Sequence, residues 1–314
     1  MRGIALSLVL LAAACSPQTP RGAPVAAPGE EAPMKQRLMV WDDLLSRPKV
    51  SPQQTIRWGQ GATDVVDVWL PDGAGPHPVV LMAHGGCWQK SVADHTLMNW
   101  AAEDLRKQGI AVWNIEYRGV DEAGGGYPGT FLDVARAADA LRDHAAALNL
   151  DTSRIAAFGH SAGGHLVMWL AARAKLAKTS PLYMDNPLKL AGVVNSGGLA
   201  DLKLSASVTQ RDCLASILDQ LTGPLATDRA DVFSDTSPVE MFPLRVRQVA
   251  VNGDKDAIAP ARLGEDIVRK AKAAGDRAEV VVVGNTGHVE LVSPGTAAFA
   301  IETAKLKEML GVSP

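Results

Sequence analysis

The feature that most restricts the fold is an alternation. Apolar, β-branched runs of strand length (residues 64–71, 78–84, 111–117, 154–159, 190–196, 247–253 and 278–284) take turns with stretches whose apolar residues recur at helical spacing (97–109, 130–148, 162–177, 262–275 and 297–310). Runs that are apolar almost throughout suit strands covered on both faces, and strand–helix alternation along a whole domain predicts an α/β protein. Its central sheet should be mostly parallel, with helices on both faces. One interval breaks the rhythm, because residues 197–246 carry no strong strand signal. In an open α/β sheet, insertions after the C-terminal end of a strand lie over the ligand crevice, so about residues 200–242 are expected to form a small cap.

The 314 residues, 47 % of them apolar, suffice for one large core. A net charge of −3 offers no electrostatic reason to expect nucleic acid as a partner. The three cysteines show no zinc-type Cys/His spacing.

Residues 1–15 (MRGIALSLVLLAAAC) place Arg2 before a short apolar run ending in small residues, the build of an export signal. Two endings stay open. The run resembles a bacterial lipoprotein signal, which would attach lipid, and hence the membrane, at Cys15; Ala12 stands where leucine is usual, with Leu11 one place earlier. Ordinary cleavage after small residues would release a soluble protein. Residues 16–33 are rich in Pro, Ala and Gly without apolar periodicity and read as a flexible tether, so the folded domain should span 34–314.

The chemistry centres on Gly159-His160-Ser161-Ala162-Gly163, which lies between a predicted strand and a predicted helix. In that context Gly-x-Ser-x-Gly makes a turn too tight for large flanking side chains, and it lifts the serine hydroxyl to the sheet edge over a helix N-terminus. Acyl transfer also needs donors for the developing oxyanion. The N–H of Ala162 would supply one, and the glycine-rich loop 83–88 (AHGGCW) another, from Gly86 or Cys87. A neutral serine needs an imidazole to take its proton, and that imidazole needs a carboxylate to hold it. His288 is the histidine after the last predicted strand, and Asp254 and Asp256 share the loop after the preceding one. Asp254 directly follows Gly253 and could equally serve the turn; Asp256 is preferred as the acid.

Together these segments resemble the α/β-hydrolase fold, within the esterase branch that carries a His-Gly-Gly-x-Trp oxyanion loop and includes arylformamidases and feruloyl-esterase-like enzymes. The resemblance runs from about residue 64 to the C-terminus, through HGGCW, NIEYRG, GGGYPGTFLDV, GHSAGGHL, GDKDAIAP and GHVELVSP. It implies Ser161, Asp256 and His288 as nucleophile, acid and base, an acyl-enzyme route, and no metal or organic cofactor. The implied substrate is a small-molecule carboxylic ester with a small acyl or aryl group. An arylformamidase-like amidase and a non-catalytic envelope binding protein on the same fold are the alternatives. The export signal places the activity in the periplasm, on the outer membrane or outside the cell. No feature specifies an oligomeric state.

Several side chains have two readings. Trp88 either walls the substrate pocket or packs in the core. Glu116 either touches substrate or fixes the oxyanion loop. Residues 124–129 (GGGYPG) read as a mobile loop before a helix. Cys87, in the oxyanion loop, and Cys213, in the cap, either form a disulfide tying the two together or remain free thiols.

Overall fold

A computed structural model describes residues 37–209 and 213–313. The export signal, Cys15 and the tether fall outside the described residues. The described chain carries an eight-stranded sheet in the order β1-β2-β4-β3-β5-β6-β7-β8. The strands are β1 (Gln54–Arg57), β2 (Val65–Trp69), β3 (His77–Ala83), β4 (Ala111–Ile115), β5 (Leu150–His160), β6 (Gly192–Ser196), β7 (Arg247–Gly253) and β8 (Ala278–Val283). β1 and β2 pair antiparallel, as do β2 and β4; every pairing from β4 through β8 is parallel. The α-helices are α1 (Trp41–Leu45), α2 (Asn99–Lys107), α3 (Gly129–Asp139), α4 (Leu141–His144), α5 (Ala162–Ala172), α6 (Leu202–Ala206), α7 (Leu218–Thr222), α8 (Ala261–Ala273) and α9 (Ala297–Leu310).

Alternating side chains along each strand divide the core in two. Val79, Leu81 and Ala83 of β3 face a cluster built with α3, α5 and α8. Val80 and Met82, one residue out of phase, face a cluster built with α2 and α9. Because both faces are covered, apolar residues occupy successive positions and the strands read as continuous runs. The central strands match their sequence signal closely, and β5 extends at its N-terminal end to Leu150.

Two departures have local causes. β1 escaped notice because QTIR is an edge strand with a single apolar residue, and its neighbours are exposed. The stretch 130–148 forms two helices, α3 and α4, separated at Ala140. At the C-terminus α9 behaves as expected of a capped helix: the Thr296 hydroxyl accepts from Phe299 N–H at 3.2 Å, and Gly311, with φ 64°, stops it.

Between β6 and β7 lie α6, α7 and a 3-10 turn at Pro238–Met241. This segment is packed onto the sheet layer, since Trp169 Nε1–H of α5 donates to Asp235 O at 2.8 Å. Buried Arg229 pairs with Asp235 at 2.6 Å and lies 4.0 Å over the Tyr127 ring. Tyr127 N–H also donates to Gln220 O at 2.9 Å, so the glycine-rich loop expected to be mobile is anchored to this insertion.

The face carrying α9 contains a buried acid without an obvious use. Glu302 is fully buried, and burial pushes its carboxyl well above the ordinary value of 4.5, opposed in part by the Ser196 hydroxyl. A carboxyl raised on folding binds its proton more tightly in the folded chain, so its contribution to stability is present below pH 4.5 and is lost as pH rises. Replacing Glu302 with Gln should therefore raise the melting temperature at neutral pH and leave it nearly unchanged below pH 4.5, as read by thermal unfolding across pH.

Candidate active site

Ser161 occupies the single residue between β5 and α5, with φ 56° and ψ −121°, a conformation costly for a side chain that bears a Cβ. Backbone packing over-determines that turn. A Cβ on Gly159 would lie 2.1 Å from Gly163 O, and a Cβ on Gly163 would lie 2.1 Å from Ala83 O and 2.5 Å from His84 O. The start of α5 thus rests directly on the end of β3, and only hydrogen at these positions permits the approach. Ser161 N–H donates to Ser196 O at 2.9 Å, continuing the β5–β6 ladder into the turn. Ala162 is the first residue of α5, where N–H groups lack intrahelical acceptors and the dipole favours negative charge.

The loops after β7 and β8 bring a carboxylate to an imidazole. Asp256 Oδ2 lies 2.6 Å from His288 Nδ1, and Asp256 Oδ1 accepts from the N–H groups of Ile258 and Ala259, each at 2.8 Å. With the carboxylate accepting at Nδ1, the imidazole carries its proton there and presents Nε2 as a base. Asp254 turns elsewhere: it accepts from Thr286 N–H at 3.2 Å and from Lys255 at 2.9 Å, bracing the two loops against each other. Gly197 closes the floor, since a Cβ there would stand 3.2 Å from Asp256 Oδ2 and 3.3 Å from His288 Cε1. Ser161, Asp256 and His288 are 3 %, 5 % and 8 % exposed, which leaves little room for a bulky group at the serine.

The glycine-rich loop after β3 lies against the same turn, because a Cβ on Gly85 would be 3.1 Å from Ser161 Cβ. Gly86, Cys87 and Trp88 all have positive φ (110°, 54° and 53°), and Gln89 N–H closes the turn on Gly86 O at 2.9 Å. Cys87 is joined to Cys213 by a disulfide, so the insertion between β6 and β7 is covalently tied to this loop.

Two side chains expected at the substrate are turned inward. Trp88 is fully buried, packs in the core and donates from Nε1 to His165 Nδ1 at 3.2 Å. Glu116 is 1 % exposed, and both its oxygens are engaged. Oε1 bonds His84 Nε2 at 3.0 Å and Tyr117 N–H at 2.8 Å; Oε2 bonds His95 Nδ1 at 2.8 Å and pairs with Lys90. Of the two readings open for each, these positions favour structural support of the loop over substrate contact, which corrects the substrate reading. An aromatic ring and a carboxylate beside a functional loop carry the same letters in either role, and only their neighbours separate the two.

Burial alone would raise Glu116, but the charges and hydrogen bonds of His84 and His95 outweigh it and hold the carboxyl well below the carboxylate range. Burial likewise disfavours the His95 cation, yet hydrogen bonds and charge from Asp67 and Glu116 prevail and lift it to about 9. Asp94, His95 and Glu116 each bring one ligand atom within 4.8 Å of the others. Lys90 lies against Glu116 and 3.8 Å from Asp94, so an ammonium already supplies positive charge there.

Residues outside the sequence reading also reach the site. His160 Nε2–H donates to His288 O at 3.0 Å, tying the serine turn to the histidine loop. Burial, and next the charge of His288, push the His160 imidazole well below its ordinary range, which keeps it neutral. Trp41 stands edge-on to His288, with ring centroids 6.4 Å apart. The only signal for either was position: His160 inside the pentapeptide and Trp41 at the expected start of the domain. By contrast, the groove of about 590 Å³ between α2 and α9, lined by Phe299, Thr303 and Lys307 among others, contains none of these groups.

Comparison with known proteins gives a consistent picture. The family model BD-FAE matches residues 66–270. Esterase LipC of Mycobacterium tuberculosis is 24 % identical over 267 residues, covering 81 % of this chain and 61 % of LipC, so the chain spans about three-fifths of that relative. Among solved structures, esterase B from Lactobacillus rhamnosis has TM-score 0.72 at 18 % identity, covering 85 % of this chain and 89 % of that one. A truncated carbohydrate esterase from gut microbiota has TM-score 0.65 at 20 % identity, covering 84 % and 99 %. Esterase 2 of Thermogutta terrifontis has TM-score 0.67 at 18 % identity, covering 85 % and 98 %. These structures share the α/β-hydrolase fold.

The charged network under the loop has a pH signature. A histidine raised from 6.5 to about 9 stabilises the fold fully below 6.5 and loses that contribution as pH climbs through 9. His95→Gln should lower the melting temperature below pH 6.5, and the gap from the unsubstituted protein should close above about 9. Thermal melts of both proteins over that range measure it.

Proposed function

Since the chain belongs to the BD-FAE family of the α/β-hydrolase fold, we propose that it is a serine esterase acting through an acyl-enzyme. The observation that carries this reading is the Asp256–His288 pair at 2.6 Å, with the His288 ring 4.4 Å from that of His160, next to a serine held at φ 56° on a helix N-terminus. His288 Nε2 takes the proton of Ser161 as its Oγ attacks the ester carbonyl. The N–H groups of Gly86, Cys87 and Ala162 receive the oxyanion. Collapse of the tetrahedral intermediate expels the alcohol, which takes the proton from His288. A water activated by the same imidazole then frees the acid and restores the serine. The carboxylate of Asp256 keeps the proton of His288 on Nδ1 and stabilises the imidazolium that forms in each half.

The names of the relatives, esterase and carbohydrate esterase, support an ester as substrate. The low exposure of Ser161 favours a small acyl group. The Cys87–Cys213 disulfide supports export to an oxidising compartment, in keeping with the signal at residues 1–15 and attachment through Cys15.

Initial rates on p-nitrophenyl esters from acetate to octanoate test the reading. Rates should fall with chain length, and Ser161→Ala should lose at least about a thousandfold in kcat, with Asp256→Asn losing a similar factor. Equal rates for the unsubstituted protein and Ser161→Ala across the series would overturn it.

A further inference from the structure

Residues 37–47 precede the segment 66–270 matched by the family model, yet they dock on the loop carrying His288. Met39 N–H donates to Glu290 Oε1 at 2.5 Å, while Glu290 Oε2 accepts from Gly287 N–H at 3.0 Å. Arg47 Nη1 donates to Pro294 O at 3.0 Å. These bonds fix the start of α1, whose first residue is Trp41. Its ring meets two imidazoles edge-on: His288 at 6.4 Å and 84°, and His160 at 6.1 Å and 77°. Trp69, Trp88, Trp113 and Trp169 are fully buried, whereas Trp41 is only half-buried. Trp41 packs on the edge of the α2/α9 cluster and is left partly accessible, with its ring close to the proposed base.

Position relative to that base decides what this surface can touch. The histidine that receives the serine proton returns it to the leaving oxygen, so a group beside the imidazole stands beside the alcohol half of the ester. An exposed indole holds a flat or weakly polar ring face by contact area and ring geometry, and it gains little from a short alkyl chain. We infer that Trp41 is a specificity-determining residue that forms the wall of the leaving-alcohol site and selects alcohols bearing a ring, aryl or glycosyl. This inference rests on the esterase reading and adds to it the class of alcohol.

The test holds the acyl group constant and varies the alcohol. Acetate esters of phenol, of a methyl glycoside and of ethanol are compared on the full chain, on Trp41→Ala and on Trp41→Phe. Trp41→Ala should raise KM for the two ring alcohols roughly 3- to 10-fold and leave kcat/KM for ethyl acetate within about twofold. Trp41→Phe should recover most of the loss for phenyl acetate. A preference for only one ring ester would identify which ring the wall serves. An equal loss on all three esters would overturn the inference and make Trp41 a support for His288; no change on any ester would overturn it too. Should the unsubstituted protein cleave none of them, the esterase reading fails on its own. The wall is then read by saturation-transfer NMR of phenol and methyl glycoside on Ser161→Ala with and without Trp41→Ala. Binding lost with the indole upholds it, and binding unchanged or absent from both proteins overturns it.

Discussion

The contact on which the site depends is one between backbones: the first turn of α5 pressed against the end of β3. At Gly163 a single methyl group would stand 2.1 Å from Ala83 O. Nothing in that contact is chemically active. It nonetheless sets how closely the serine turn approaches the loop 84–88, where a Cβ on Gly85 would stand 3.1 Å from Ser161 Cβ. The strained backbone at Ser161 follows from the same packing. Strain of this kind persists only where the surroundings allow no alternative, and here two strands, a helix and the β6 ladder all meet the turn.

Around that fixed point the structure uses different interactions for different loops. The loop after β3 is held from beneath by buried charge, with Glu116 accepting from His84, His95, Lys90 and Tyr117, and from above by a disulfide to the β6–β7 insertion. Desolvating so many polar groups is costly, but their mutual satisfaction offsets the cost, and together they hold consecutive positive-φ residues that a free loop would not keep. The histidine loop is held instead mainly by hydrogen bonds to backbone groups. His160 bonds its carbonyl, Glu290 bonds the backbone of Gly287, and the segment from Arg37 braces its outer side.

Much of this was legible before any coordinates. The central strands β3 to β8 stand out as apolar runs because both faces of a parallel sheet exclude water. The serine turn was visible because close backbone approach demands glycine at 159 and 163. Asp256 was preferred over Asp254 because Asp254 directly follows Gly253 and suits the turn, and it is Asp256 that meets His288. Trp88 and Glu116 each kept two readings, substrate contact or structural support, and the fold turned both inward. Trp41 carried no signal beyond its place at the start of the domain, because nothing in residues 37–47 announces a partner that lies far along the chain.

By itself, then, the sequence determined the layer architecture, the place of the serine turn at a strand–helix junction, and the small set of groups able to serve it. Those properties follow from periodicity and from steric limits within a few residues, which the order of amino acids specifies directly. Tertiary structure alone decided that Cys87 reaches Cys213 rather than staying a thiol, and that an indole from the start of the domain stands beside the imidazole. Each of these joins residues distant in sequence. Their separation in space depends on the sheet order and on the loops that return to it, and no local pattern encodes that sum.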